Sequence, residues 1–245
     1  MQIIGVGDLI KKSWDLYWSN LKLLLTISVW MVIPLLAAVL LAFVPANLVA
    51  VIVPLSLIVF AATFIVNIWV TICLVQVSAK LYQKQKVNLR IVFQGAWSKM
   101  IPLIWVSFLT GLAVLGGMIL FIIPGIIIAV WFAFSTFLNI LDNVRGTAAL
   151  KQSKAMVSGL WWSTAIRFVV PYIVFGILFY GAAWIILMAI TPLTNYFAGT
   201  NQDIIVMIES IITSALNIFT TPMFIMVGAI LYLEIKKIKG LRAVS

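Results

Sequence analysis

The sequence has no histidine, a single cysteine and only six acidic residues in 245 positions. Without histidine it loses the usual general base at neutral pH, the commonest metal ligand, and the Ser/His and Cys/His nucleophile systems. Cys73 alone can form neither an intramolecular disulfide nor a cysteine metal cluster. The acids are Asp8, Asp15, Asp142, Asp203, Glu209 and Glu234. Only Asp203 and Glu209 fall close together, and at six residues apart they do not share a helical face. Gly5-Val6-Gly7 is too short for a phosphate loop and lies beside an amphipathic segment. An enzyme is therefore not expected, nor a cofactor or a metal site.

Charge is also scarce. Charged residues make up 9% of the chain and hydrophobic ones 64%, whereas a soluble domain carries about 25% charge. Such a chain cannot cover a soluble surface, and an all-α integral membrane protein is expected. Uncharged runs at 23–44, 48–78, 100–123, 126–141, 168–190 and 210–233 predict six transmembrane helices. All sixteen Lys and Arg residues lie in the N-terminus, the 79–99 and 142–167 segments and the C-terminal tail. The hairpin tips at Pro45–Asn47, Pro124-Gly125 and Pro192–Gln202 have none. By the positive-inside rule both termini and both long connectors face the cytoplasm. The first apolar run has no small-residue cleavage site at its end and is read as a retained span.

The net charge of +10 does not point to nucleic acid, because the basic residues flank apolar spans. Each such residue is attracted to an anionic inner leaflet by about 1 kcal/mol. Three basic segments also have helical periodicity. From Asp8, read as an N-cap, Leu9, Ile10, Trp14, Tyr17 and Trp18 fall on one side, away from Lys11, Lys12 and Asp15. A second segment begins near Asn88, with Leu89, Val92, Phe93, Ala96 and Trp97 opposite Arg90 and Gln94. A third runs from Thr147 through Leu150, Lys151, Ser153, Lys154, Met156 and Val157 to Gly159. Ile10-Lys11-Lys12-Ser13 matches Leu150-Lys151-Gln152-Ser153, and Trp-Ser pairs at 18, 97 and 162 precede the following spans.

These matches outline a threefold unit, an amphipathic helix followed by a membrane hairpin. The expected single domain over 1–245 has interfacial helices at 8–20, 88–99 and 147–159. Its spans lie at 21–44, 48–80, 100–123, 126–144, 165–191 and 205–235. The expected membrane-interface residues are Trp14, Trp18, Trp97, Trp161, Trp162, Lys11, Lys12, Arg90, Lys151 and Lys154.

Some spans have features of their own. Pro34, Pro54, Pro102, Pro171 and Pro222 favour bends. The second run has 31 uncharged residues, roughly 46 Å of helix against about 30 Å of hydrocarbon. The fourth has sixteen before Asp142 and is expected to continue toward Arg145. The sixth carries Ser210, Thr213, Ser214, Asn217, Thr220 and Thr221 on one face, just after Glu209. With Asn67 and Thr71 of the second span and Asn139 of the fourth, these residues form a candidate polar cavity, or they simply pack against neighbouring helices. Glu234 and Lys237 are expected to form an ion pair.

Ile123-Pro124-Gly125, Trp131-Phe132-Ala133-Phe134, Gly146, Ala149-Leu150 and Ser153 together give a resemblance over 121–163. This segment resembles the membrane domain of bacterial and archaeal glycerophosphoryl diester phosphodiesterases and related stand-alone six-span proteins. In those enzymes the chemistry belongs to a separate barrel domain, which has no counterpart here. The resemblance implies an accessory, lipid-associated role in a bacterial or archaeal cytoplasmic membrane. It transfers no catalytic residue, and Pro124-Gly125 carries over only as a turn.

The reading preferred from sequence is a non-catalytic membrane-organising protein. Its expected partners are anionic inner-leaflet lipids and a further protein or a second copy of itself, with no nucleic acid. The alternative is a small transporter or channel-like subunit that uses the polar face of the sixth span.

Overall fold

The computed structural model describes residues 3–41, 44–45, 47–198 and 202–240, and the side chains of all these except 193–198, 202–207 and 209. Within them the chain is all-α. The helices are α1 (Val6–Ser19), α2 (Leu21–Ser28), α3 (Val32–Leu41), α4 (Val49–Tyr82) and α5 (Leu89–Leu120), followed by α6 (Ile122–Trp131), α7 (Ser135–Asp142), α8 (Gly146–Val157), α9 (Trp161–Ala198) and α10 (Gln202–Ile238). Six stretches are long and apolar enough to cross a membrane: Leu21–Leu41, Val49–Tyr82, Leu89–Leu120, Ile122–Asp142, Trp161–Pro192 and Ser210–Ile238. The protein is a multi-pass membrane protein.

Several expected boundaries are corrected by local chemistry. Gly5 is the N-cap of α1, and Asp8 stands in the first turn, where its charge favours the helix dipole. The 21–44 span is broken by a 3-10 turn at Val29–Met31. Pro34 has no N–H to offer the Trp30 carbonyl one turn back, and the chain tightens there. The 88–99 segment is not a separate helix but the first turns of α5, capped by Asn88, whose side chain accepts from the Ile91 N–H at 3.4 Å. No glycine or proline between Trp97 and Met100 ends it, and the helix runs on through Pro102.

The hairpin tip expected at Pro124-Gly125 lies instead at Phe121, the one extended residue between α5 and α6. Pro124 sits in the first turn of α6, where a missing N–H costs nothing. The expected 126–144 helix is two helices, and it ends at Asp142 with Asn143 in the left-handed region, not near Arg145. The length it lacked is made up at its start, from Ile122. The last two spans begin earlier than expected, at Trp161 and Gln202; the 199–201 link between them lies outside the described residues.

The tip at Phe121 is tight because glycines meet across it. A Cβ on Gly125 would stand 2.3 Å from Met118 Cγ and 3.0 Å from its backbone nitrogen, and one on Gly117 would stand 3.0 Å from Gly125 Cα. Small residues thus let α5 and α6 approach closely.

Burial is graded along the bundle. In α4, which has 34 residues or roughly 51 Å of helix, Val70, Ile72, Cys73, Leu74 and Val77 are fully enclosed, whereas Val53, Leu57 and Phe60 are exposed. In α10 the enclosed stretch includes Met223, Met226, Ile230 and Tyr232. The packed core therefore lies toward the ends that carry the lysines.

All three amphipathic faces pack largely against protein; in the 88–99 segment Val92 and Ala96 are fully enclosed. Leu9, Ser13 and Tyr17 of α1 are enclosed, with α9 and α10 beside them, and the Tyr17 hydroxyl donates to the Phe219 carbonyl at 2.9 Å. Burial pushes the Tyr17 phenol up to about 12, so it stays protonated and donating at neutral pH. The acceptor adjoins Ile218, whose carbonyl Pro222 leaves without its helical donor. Ala149, Leu150, Ser153, Met156 and Val157 of α8 are enclosed against α5, α6 and α7. The expected interfacial helices α1 and α8 are thus docked on the bundle by their apolar faces.

Gly125→Ala drives a methyl group into Met118 and its backbone. It should lower the thermal midpoint in detergent by an amount equivalent to about 1–3 kcal/mol. Gly111→Ala, with nothing within 4 Å of its new methyl, should leave the midpoint unchanged or raise it.

Candidate functional site

The break between α6 and α7 leaves backbone groups in an apolar setting. Ser153 of α8 resolves this: its hydroxyl donates to the Trp131 carbonyl at 2.7 Å and accepts from the Phe134 N–H at 3.1 Å. Lys154, one residue on, lies 4.2 Å above the Trp131 ring. Ser135 reaches the Phe132 carbonyl at 2.8 Å and the Thr110 hydroxyl at 3.1 Å. At the far end of α7, Asn139 donates to the Val144 carbonyl at 2.9 Å, closing the turn, while its buried carbonyl oxygen has no partner.

The ends of α7 and α10 meet in a charged junction. Lys236 contacts both carboxylate oxygens of Asp142, at 2.5 and 2.6 Å, and Tyr232 donates to the same carboxylate at 2.6 Å. Lys99 of α5 donates to the Ile140 carbonyl beside it. Asp142 and Lys236 are the one ion pair among the described residues, with side-chain exposures of 6% and 14%. Glu234 does not pair with Lys237 as expected; it accepts from the Tyr82 hydroxyl at 2.6 Å, across 152 residues of chain.

Beside this junction an open cleft of about 760 Å³ lies between α1, the end of α4 and the end of α10. Lys12, Lys84, Lys236 and Lys237 line it with Glu234, over a half-buried floor of Leu16, Leu81, Tyr82 and Leu233. A smaller pocket of about 290 Å³ adjoins it through Gln83, Leu233 and Lys236, and reaches Lys80 and Lys99. Lys12 stands 5.8 Å over the Tyr82 ring.

Lys84 has a left-handed backbone, φ 56°, in the position where glycine usually ends a helix. The Gln85 N–H reaches back to the Lys80 carbonyl at 2.8 Å and the Lys84 N–H to that of Leu81 at 3.0 Å, which is a Schellman closure. For a side chain with a Cβ this geometry costs roughly 1–2 kcal/mol.

The expected interface residues divide. Trp18, Trp97 and Trp162 are exposed, at 49%, 61% and 74%, as are Lys11, Lys12, Arg90, Lys151 and Lys154. Trp14 and Trp161 are half-buried packing residues: Trp14 stacks on Phe175 at 6.1 Å, and the Trp161 N–H donates to the Ile127 carbonyl at 3.3 Å.

Among the described residues of the expected polar cavity, none lines either cleft. Asn67 and Thr71 bond back to the Thr63 and Asn67 carbonyls of their own helix, at 2.8 Å each. Asn139 is spent on the α7 turn. On α10, Ser210 and Thr213 are exposed, Asn217 accepts from Tyr180 at 3.4 Å, and Thr220 is buried. The Glu209 side chain lies outside the described residues. Among the described residues no cluster of His, Cys, Asp or Glu could hold a metal ion.

No protein-family model matches the chain, and neither a curated protein nor a solved structure matches it.

Sequence reasoning missed the roles of Tyr82, Tyr232 and Asp142. Their partners lie 90 to 152 residues away, so no local spacing signals them.

Two outcomes follow from this geometry. Ser153→Ala strands a buried carbonyl and a buried N–H together, and should cost about 1–3 kcal/mol for each group left unpaired. Asp142→Ala leaves Lys236 charged without its partner and should cost about 3–5 kcal/mol. Thermal unfolding in detergent, with circular dichroism confirming helix content below the transition, measures both.

Proposed function

We propose that this is a non-catalytic membrane protein with a lipid-associated, organising role at the leaflet on its basic side. The observation that carries this reading is the position of Trp18, Trp97 and Trp162. All three are exposed, and each stands within five residues of a lysine or arginine of the basic end. Aromatic rings at the headgroup level, together with juxtamembrane cations, are how a polytopic protein engages an anionic surface. The charge alternation of the connectors supports a cytoplasmic location for that end and for both termini.

The resemblance of 121–163 to the glycerophosphoryl diester phosphodiesterase membrane domain supports the same role and a bacterial or archaeal cytoplasmic membrane. Its residues have structural work here. Ser153 closes the break between Trp131 and Phe134, and Gly125 forms the close α5–α6 contact. The transport alternative has less support, because Asn217 and Thr220 on the polar face of α10 are occupied by packing.

Native mass spectrometry of the protein extracted with its surrounding lipids tests the proposal. Replacing Trp18, Trp97 and Trp162 together by alanine removes largely exposed rings, with their contacts to Tyr17, Trp69 and Trp161, and should cut the retained lipid several-fold while circular dichroism shows that the helices persist. Lipid retention equal to the wild type would overturn the reading.

A further inference from the structure

The cleft between α1, the end of α4 and the end of α10 has a charge imbalance that the fold itself does not use. Lys236 is committed to Asp142. That leaves Lys12, Lys84 and Lys237 facing Glu234 alone among the cleft's described charges, and the Glu234 carboxylate is already engaged by the Tyr82 hydroxyl. Lysines at helix C-termini commonly serve to offset the dipole or cap the last carbonyls. That explanation does not account for Lys84. The α4 carbonyls there are closed by the backbone N–H groups of Lys84 and Gln85, so the ammonium is free of the cap. Glycine would make the same turn without left-handed strain, yet the position holds a cation, and strain retained at one place is a pointer to use.

We infer that this cleft binds the phosphate of an anionic glycerophospholipid headgroup, with Lys12, Lys84 and Lys237 as its counter-charges. This deepens the lipid-associated reading and rests on it. The source of the phosphate is argued from the floor of the cleft. Leu16, Leu81 and Leu233 are half-buried apolar side chains that line the same cleft as the lysines, a surface suited to the glycerol and first acyl carbons and of no use to a free anion. Basic pockets between helices at the cytoplasmic side of a membrane protein are where such headgroups lodge. The three lysines come from α1, the turn after α4, and α10. A bound phosphate would thus tie α1 and the end of α4 to α10.

The test uses the full chain in detergent, titrated with phosphatidylglycerol, phosphatidylethanolamine or inorganic phosphate and read by native mass spectrometry. Wild-type protein should retain one phosphatidylglycerol in preference to phosphatidylethanolamine, and millimolar inorganic phosphate should not displace it. The combined Lys12→Gln, Lys84→Gly and Lys237→Gln variant should lose at least tenfold in that retention. A control of equal charge loss, Lys11→Gln, Lys86→Gln and Lys151→Gln, should stay within twofold of wild type. Lys84→Gly alone keeps the turn and relieves its strain, so its melting temperature should not fall, which separates loss of binding from loss of fold.

Equal loss in the control variant would overturn the site in favour of diffuse attraction, while leaving the lipid-associated reading standing. Displacement by inorganic phosphate, or equal retention of phosphatidylethanolamine, would overturn the assignment to an anionic lipid. No retained lipid in the wild type would sink both.

Discussion

A hydrocarbon environment offers no water to an exposed carbonyl or N–H, so every interruption of a helix must be repaired from within the protein. One such interruption lies between α6 and α7, and a single hydroxyl, that of Ser153, bonds to Trp131 on one side of it and Phe134 on the other. Much of the surrounding arrangement depends on that repair. It fixes α8 against the bundle, and it brings Lys154 over Trp131. It also lets α7 turn so that Phe134 and Phe137 pack on Tyr232 of α10, at ring separations of 5.8 and 5.7 Å. From there the same α7 delivers Asp142 to Lys236. A continuous helix in this place would aim its C-terminal turn elsewhere, and the charged junction would not form.

The junction and the graded core belong to one design. The basic ends of the spans are held together by ion pair, hydrogen bonds and docked amphipathic helices, whereas the opposite ends present exposed apolar residues such as Leu57, Phe60, Ile119 and Ile185. In a bilayer those side chains meet lipid tails, which are as apolar as leucine, so leaving them unpacked carries no hydrophobic penalty. Polar contacts concentrate where water and headgroups compete for them and where misplacing a charge is costly.

The six spans and the clustering of charge were legible because both are carried by composition over long windows. The helix starts at Asn88 and Gly146 were approachable for the same reason, each following a basic, polar stretch. Other features were not legible. The break at Phe132–Phe134 lies inside a uniformly apolar run, in which one helix and two look alike. An apolar stripe on α1 or α8 has the same periodicity whether it meets lipid or protein, and only the grooves formed by distant spans decide between them. Lys12 was conspicuous in the sequence as a basic residue beside an aromatic face. Lys84 was visible only as flanking charge, Lys237 and Glu234 only as a local ion pair, and nothing pointed to Tyr82 as the partner of Glu234, since the contact that joins them spans 152 residues.

The docking of α1 has a consequence for assembly. Tyr17 bonds to Phe219, and the Ile4 carbonyl accepts from Arg167 at 2.6 Å. Because α1 precedes α9 and α10 in the chain, it is made well before the two helices on which it finds its seat. Until α9 and α10 have entered the membrane, the enclosed face of α1 has no partner within the chain and must wait at the bilayer surface, where Trp14 and Trp18 give it a temporary lodging. The amphipathic character of α1 thus serves two successive environments, lipid during synthesis and protein afterwards. The seating of α1 is governed by contacts 163 and 202 residues apart, the slow, long-range kind that must await the synthesis of α9 and α10.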